Sequence, residues 1–205
     1  MNQIKLKGII RNIRPSHNIK DIEYDKADLI VNRRDGKDDV LNIRFKRFSN
    51  TYQDDQEISL VGNIRSYSRQ LEDGRNKVDI YVFTYFDIPE LDENDQEVTN
   101  EFIVDGRICK IEPLRTVSNG KQNIHFLLAN NLIVEESNQK LNSYLPCIAW
   151  GGIARELSKC QVNDKLTIKG ELHSREYKKQ LPNGDIEIRV AHELVISSFT
   201  KEDAV

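Results

Sequence analysis

Aromatic and basic side chains alternate in two segments of the second half of the chain. Tyr144 and Trp150 lie six residues apart in an apolar segment, so a β-strand there would present both rings on one face. The segment 173–179 places a third ring, Tyr177, among four basic residues: His173, Arg175, Lys178 and Lys179. Rings that stack on unpaired bases, each contributing roughly 1–3 kcal/mol, and cations that follow phosphates are what a single strand of nucleic acid requires.

Each ring also has an ordinary structural explanation. Trp150 precedes Gly151 and Gly152 and, as a core residue, would close one end of a barrel. Tyr144 and Tyr177 would then be half-buried strand residues. Convergence of the three rings with basic residues on one face favours a nucleic-acid-binding surface over a separate structural role for each ring.

Short segments with period-two alternation must position these side chains. The segment 40–46 places Leu41, Ile43 and Phe45 on one face and polar residues on the other, which is typical of a half-buried strand. Turn signals that contain glycine separate such segments, at 34–36, 72–74, 118–120 and 182–184. Five hairpin-linked strands in each half predict a small closed barrel.

The two halves of the chain repeat each other. Residues 4–13 align with 102–111, residues 58–66 align with 166–174, and we align the alternating segments 78–82 and 186–190. Both copies carry a glycine in their first strand, Gly8 and Gly106, which suits a strand that bends between two sheet layers. The second copy is longer in the middle, and there Ile153, Leu157 and Cys160 predict a helix over 151–160.

Charge divides the chain into the same units. Residues 1–86 hold 16 Lys and Arg against 13 Asp and Glu, and residues 102–198 hold 13 against 11, so both units are mildly basic. The segment 87–101 holds seven acidic residues and no basic ones, which predicts an acidic linker. We therefore predict a first domain at 1–86, the linker at 87–101, a second domain at 102–198 and a short tail at 199–205.

Composition and motifs restrict the function classes. No apolar run approaches a membrane span, and three cysteines without C-x-x-C spacing favour a reducing cytoplasm over a disulfide framework or a zinc site. The four histidines lie in separate segments without metal-ligand spacing, and no catalytic motif is present. We expect no enzyme activity, no cofactor and no membrane association.

Residues 102–196 resemble the single-stranded DNA-binding proteins of bacteria and phages, which have an OB fold. The resemblance rests on five segments in family order: GRI at 106–108, PLRTVSNG at 113–120, FLLA at 126–129, LPCIAWG at 145–151 and LTIKGELHSR at 166–175. It implies an all-β protein of two tandem OB-fold five-stranded barrels, the second with a short α-helix.

The resemblance also implies roles for particular residues. Tyr144, Trp150 and Tyr177 fall on base-stacking positions of the family, where the first copy has Val40, Lys46 and Arg69. We expect the strand-binding residues of the second domain to be Tyr144, Trp150, Tyr177, Arg115, Lys121, His173, Arg175, Lys178 and Lys179. In the first domain, where phosphate contacts would dominate, we expect Arg44, Lys46, Phe48, Arg65, Tyr67 and Arg69.

The expected function is to bind single-stranded DNA without strong sequence preference during replication, recombination or repair, in a phage, plasmid or integrated element. The resemblance implies a homodimer with four OB domains, and replication or recombination proteins as partners. Two alternatives remain open: an OB-fold interaction accessory of a primosome or recombination complex, and an RNA-binding OB protein.

Overall fold

The computed structural model describes residues 1–47, 52–70, 74, 76–84, 99–134, 139–181 and 184–202. The first half forms β1 (Asn2–Ile19), β2 (Ile22–Asn32), β3 (Asp38–Lys46), β4 (Glu57–Gln70) and β5 (Asn76–Thr84). The second half forms β6 (Asn100–Ile111), β7 (Arg115–Thr116), β8 (Gln122–Val134), β9 (Gln139–Trp150), α1 (Gly151–Leu157), β10 (Lys165–Gln180) and β11 (Ile186–Lys201).

Each half closes into a five-stranded barrel. In barrel 1, β1 pairs with β2 and β4, β2 pairs with β3, and β5 closes the sheet between β4 and β3, to which it is parallel. In barrel 2, β6, β8, β9, β11 and β10 close in the same way, again with one parallel pair, β9 and β11. The predicted all-β fold of two tandem OB barrels is confirmed, as is the short helix after Trp150.

The repeated glycines lie where the first strand of each barrel changes partner. β1 pairs with β4 through residues 4–9 and with β2 from Ile9 onward, so Gly8 stands at the bend. A Cβ atom on Gly8 would lie 2.3 Å from the carbonyl oxygen of Ile30, and one on Gly106 would lie 2.5 Å from that of Ala129. Both positions therefore exclude a side chain, as expected for a strand shared by two sheet layers.

The two barrels are joined through their first strands. β1 pairs antiparallel with β6, and Ile4 lies opposite Phe102, its own counterpart in the repeat. The flanking contacts repeat in the same way: Ser66 Oγ accepts a hydrogen bond from the Tyr144 amide at 2.7 Å, and Ser174 Oγ accepts one from the Val40 amide at 2.8 Å. The barrels are thus related by an approximate two-fold axis between β1 and β6.

The last strand of each barrel aligns differently from the sequence-based alignment. Val82 pairs with Ile64 and Leu194 pairs with Leu172, so Val82 corresponds to Leu194. The alignment of segment 78–82 with 186–190 was therefore wrong by four residues. The cause is the β10–β11 hairpin, which is longer than the β4–β5 hairpin and carries additional alternating residues near its tip.

The inward faces of the strands form the core. Leu41, Ile43 and Phe45 of β3 are buried as predicted, and so are Leu145 and Ala149 of β9. Most of the predicted acidic linker falls in 85–98, outside the described residues, and the domain boundaries stay predictions. In the described part of the chain, no helix has the length and apolarity needed to cross a membrane.

Candidate nucleic-acid interface

A groove of about 750 Å³ runs over the outer face of barrel 2. Because Leu145, Cys147 and Ala149 point into the core, the alternation of β9 turns Ile148 and Trp150 outward into this groove. Trp150 is 40% exposed, at the end of β9 where α1 begins. A ring held on a rigid strand with an open face can stack on a base, whereas a core residue would be enclosed.

Barrel 1 supplies one wall of the groove. Arg33, Lys37 and Val40, from the β2–β3 hairpin, line it together with His173 and other residues of barrel 2. The surface is therefore composite. Sequence reasoning missed this wall because residues more than a hundred positions apart meet only after the two barrels dock.

Basic side chains of β10 lie beside the ring. His173 and Arg175, two of the predicted strand-binding residues, both line the groove. Arg175 Nε lies 3.3 Å from a carboxylate oxygen of Glu193, and its Cζ lies 5.9 Å from the ring centroid of Tyr177. Tyr177 lines an adjoining cavity of about 190 Å³, which shares Glu193 with the groove. The structure thus brings together four predicted residues: Trp150, His173, Arg175 and Tyr177.

Tyr144 lies apart from this group. Six residues of strand separate it from Trp150, about 20 Å along β9, and its backbone amide bonds Ser66 of barrel 1. Its ring is 43% exposed and lines neither cavity. The two rings of β9 share a face, as predicted, but they lie at opposite ends of it.

Four predicted cations of barrel 2 lie outside both cavities. Arg115 is exposed and paired with Glu112 at 2.8 Å. Lys121 is exposed at the end of the 117–121 turn, where its carbonyl accepts a hydrogen bond from Val117. Lys178 and Lys179 lie toward the tip of the β10–β11 hairpin, on opposite faces of β10.

The predicted residues of barrel 1 lie on β3 and β4. Arg44 and Arg65 are partly buried because each guanidinium lies over an aromatic ring of β5, at 3.9 Å from the Tyr81 centroid and 4.0 Å from the Phe83 centroid. Three others are also placed: Lys46 at the end of β3, Tyr67 exposed on β4, and Arg69 paired with Asp79 at 3.0 Å. Phe48 lies outside the described residues.

Sequence reasoning missed three rings of barrel 1. It found aliphatic or basic residues at the positions that correspond to Tyr144, Trp150 and Tyr177, and chose Phe48 and Tyr67 as the nearest aromatic substitutes. The missed rings lie on β2 and β5, as Tyr24, Tyr81 and Phe83. The alternation of Tyr81 and Phe83 with buried Ile80 and Val82 was the available signal, because it places both rings on the outer face.

A charged contact fixes the barrel 1 wall of the groove. Asp39 is fully buried and pairs with Arg33, whose Nε donates to Asp39 at 2.6 Å. This hydrogen bond raises the pKa of Arg33 against the opposing effect of burial. Arg33 Nη2 also donates to the Ser174 carbonyl at 2.6 Å, and Asp39 accepts a hydrogen bond from the Ser174 amide. The pair therefore binds the β2–β3 hairpin to β10.

Side chains that hold metal ions do not cluster here: among the described residues, no group of three His, Cys, Asp or Glu could bind one. The chemistry available to the groove is stacking on Trp150 and ionic contact with its basic walls.

Two closed five-stranded barrels with this strand order, joined through their first strands, define a tandem OB-fold binding protein. Residues 99–200, which span barrel 2, match the single-strand binding protein family. The chain belongs to this family.

Two of the similar solved structures match the chain over its full length. The wild-type single-stranded DNA binding protein from Thermus aquaticus matches with a TM-score of 0.69 and 18% identity, over 100% of this chain and 94% of that one. A deletion mutant of the same protein matches with a TM-score of 0.70 and 16% identity, over 100% and 96%. A Plasmodium falciparum SSB in complex with ssDNA matches with a TM-score of 0.45 and 17% identity, over 53% and 98%. No curated protein sequence matches the chain.

Proposed function

We propose that this protein binds single-stranded DNA, without strong sequence preference, in the composite groove between barrel 2 and the β2–β3 hairpin of barrel 1. The observation that carries the proposal is the position of Trp150. Its exposed ring lies in a groove that also contains Arg175 and, from the other barrel, Lys37. Stacking on a ring is tolerant of sequence because every base has a π-face.

The two kinds of contact divide the work. A base stacks on Trp150, and a neighbouring base reaches Tyr177 in the adjoining cavity. Phosphates on either side are attracted by Arg175 and Lys37, and a phosphate near Arg175 competes with Glu193 for its guanidinium. Because these cations replace counterions of the strand, affinity falls as salt rises.

The single tryptophan of the chain makes this proposal directly testable. Titration with dT oligomers should quench the fluorescence of Trp150, and the logarithm of the association constant should fall linearly with the logarithm of salt concentration. Failure of dT to bind at low salt would overturn the proposal. Equal or tighter binding of rU oligomers would favour an RNA-binding function instead.

We further propose that the protein acts in replication or recombination and assembles as a homodimer with four barrels. The family supports the first point, and the tip of the β10–β11 hairpin supports the second. Ile186 and Ile188 point to one face of β11 and are 66% and 64% exposed, which suits packing against a second copy. Light scattering should give twice the chain mass, and Ile188→Asp should give the single-chain mass. A monomeric wild type would contradict the homodimer.

A further inference from the structure

The positions that line the groove of barrel 2 carry a cluster of rings and cations in barrel 1. The strand registers establish the correspondence between the two barrels. In barrel 2 the positions hold Asn123, Ile148, Trp150, His173, Glu193 and Val195. The corresponding residues of barrel 1 are Tyr24, Arg44, Lys46, Arg65, Tyr81 and Phe83.

The rings of barrel 1 lie beneath arginine side chains. The Arg44 guanidinium covers Tyr81 and that of Arg65 covers Phe83, at 3.9 and 4.0 Å. Behind them, the Phe83 centroid lies 6.0 Å from that of Tyr24, whose ring is buried. Tyr81 and Phe83 are partly exposed, so their covered faces become accessible when the arginines move.

Arg44 is held by a ring instead of a carboxylate. Within the described part of the chain Arg44 has no ion-pair partner. The pKa of His17 is lowered, first by burial of the histidine and second by the positive charge of Arg44. A guanidinium over an exposed ring is held more weakly than a base stacked on the same ring. Arg44 therefore keeps its charge for a phosphate and yields the ring to a base at small cost.

We propose that Tyr81 and Phe83 form a second base-stacking site, in barrel 1, and that bases displace Arg44 and Arg65 from these rings toward the neighbouring phosphates. The inference rests on the proposed function, because it concerns the same ligand. It assigns stacking to a barrel that has Lys46 and Arg69 at the positions of Trp150 and Tyr177.

Removal of a ring tests the barrel 1 site, because it should weaken the binding of long oligonucleotides but not of short ones. The variant Tyr81→Leu should bind dT of about 35 nucleotides roughly 5- to 150-fold more weakly, the loss of one stacked base. The same variant should leave unchanged the quenching of Trp150 by dT of about eight nucleotides, a length that one barrel can hold. Tyr81→Phe keeps the ring and should match the wild type at both lengths.

Removal of the Arg44 charge tests whether bases displace the arginines from the rings toward phosphates. Arg44→Gln should lower the slope of log association constant against log salt by about 0.7 for the long oligomer, the loss of one phosphate contact. Lys7→Gln is the matched control, because Lys7 pairs with Glu57 on β4 at 3.6 Å and lies outside the cluster. The NMR signals of the Arg44 δ-methylene should be shifted upfield by the Tyr81 ring in the free protein and should lose that shift when long dT is added.

The outcomes separate this inference from the proposed function. If dT of any length fails to quench Trp150 in the wild type, the proposed function is wrong. If Trp150 is quenched but Tyr81→Leu and Arg44→Gln bind long dT like the wild type, only the barrel 1 site is wrong. Should Tyr81→Leu not fold, the Arg44 variant and the NMR shift decide, and an unchanged shift in saturating long dT overturns the exchange.

Discussion

The two barrels share a framework but present their rings on different strands. Barrel 2 carries Trp150 on β9, whereas barrel 1 carries Tyr81 and Phe83 on β5. The third and fifth strands of an OB barrel are parallel neighbours, and in barrel 1 Arg44 lies opposite Phe83. Because Trp150 corresponds to Lys46, Phe83 lies one strand spacing of about 4.8 Å across, and about 7 Å back along the strand, from the position that Trp150 occupies in barrel 2. A groove can therefore keep its aromatic character after duplication while every individual position changes its residue type.

The contacts between the barrels differ in a related way. On one side of the approximate two-fold axis, Ser143 faces Ser66, and both contacts are neutral. On the other side Asp39 replaces the serine and brings Arg33 to Ser174. The charged side is the one that borders the groove, so the asymmetry of the interface follows the asymmetry of the binding surface.

The largest effect should come from replacing Gly170, where β10 packs closely against β11. A Cβ atom on Gly170 would lie 1.9 Å from the carbonyl oxygen of Val195, against 2.5 Å from that of Phe83 for Gly62 in barrel 1. Overpacking against backbone cannot relax easily, so Gly170→Ala should lower the free energy of unfolding by roughly 3 kcal/mol or more. Urea denaturation measures this. Gly152→Ala, where the nearest atom is 3.8 Å away, is the control, and a larger loss for Gly62→Ala than for Gly170→Ala would contradict the comparison.

Replacing Trp150 by the residue at the corresponding position of barrel 1 tests whether this position stacks on a base in barrel 2 and contributes a charge in barrel 1. Trp150→Lys, which imports the barrel 1 residue, should weaken dT binding by roughly 1–3 kcal/mol, about 5- to 150-fold, because stacking is lost. It should also steepen the dependence on salt, because a cation is gained. Anisotropy of labelled dT is the measurement, with Trp150→Phe as the ring-retaining control. If Trp150→Lys bound dT with wild-type affinity, Trp150 would have only the structural role of closing one end of the barrel.

Removal of the buried carboxylate tests the asymmetric interface. Asp39→Ser imports the serine of the other side and leaves Arg33 without its partner, so we expect a loss of roughly 1–3 kcal/mol in the free energy of unfolding. The groove should also lose its fixed wall, and Trp150 quenching by dT should require more oligomer. The mirror change Ser143→Ala should cost less than 1 kcal/mol, about one neutral hydrogen bond. Equal losses for the two variants would show that the asymmetry has no energetic consequence.

Local alternation in the sequence predicted which face of a strand lies in the core. The sequence did not predict contacts that form only when the two barrels dock. Alternation in 40–46 identified the core face of β3, and the spacing of Tyr144 and Trp150 identified a shared outer face. It could not show that Tyr144 lies outside the groove that contains Trp150, nor that Lys37 of barrel 1 lines the groove of barrel 2. The misalignment of β5 with β11 had a further cost. It hid the correspondence of Phe83 with Val195, and with it the second set of rings.

The smallest effect concerns a histidine at the charged side of the interface. Burial lowers the pKa of His192 below its usual 6.5, although Nε2 lies 2.8 Å from the Val40 carbonyl and Asp39 and Asp79 favour the charged form, while Lys77 opposes it. The neutral ring with its proton on Nε2 makes this hydrogen bond. The unfolded chain takes up a proton more readily than the folded one, so the contribution of His192 to stability is complete above pH 6.5 and falls as the pH drops below it. Denaturation at pH 7.5 and 5.5 should therefore show an acid loss that His192→Gln reduces. If this variant kept the full acid loss, other groups would be responsible, and the barrel interface would have no histidine-dependent stability.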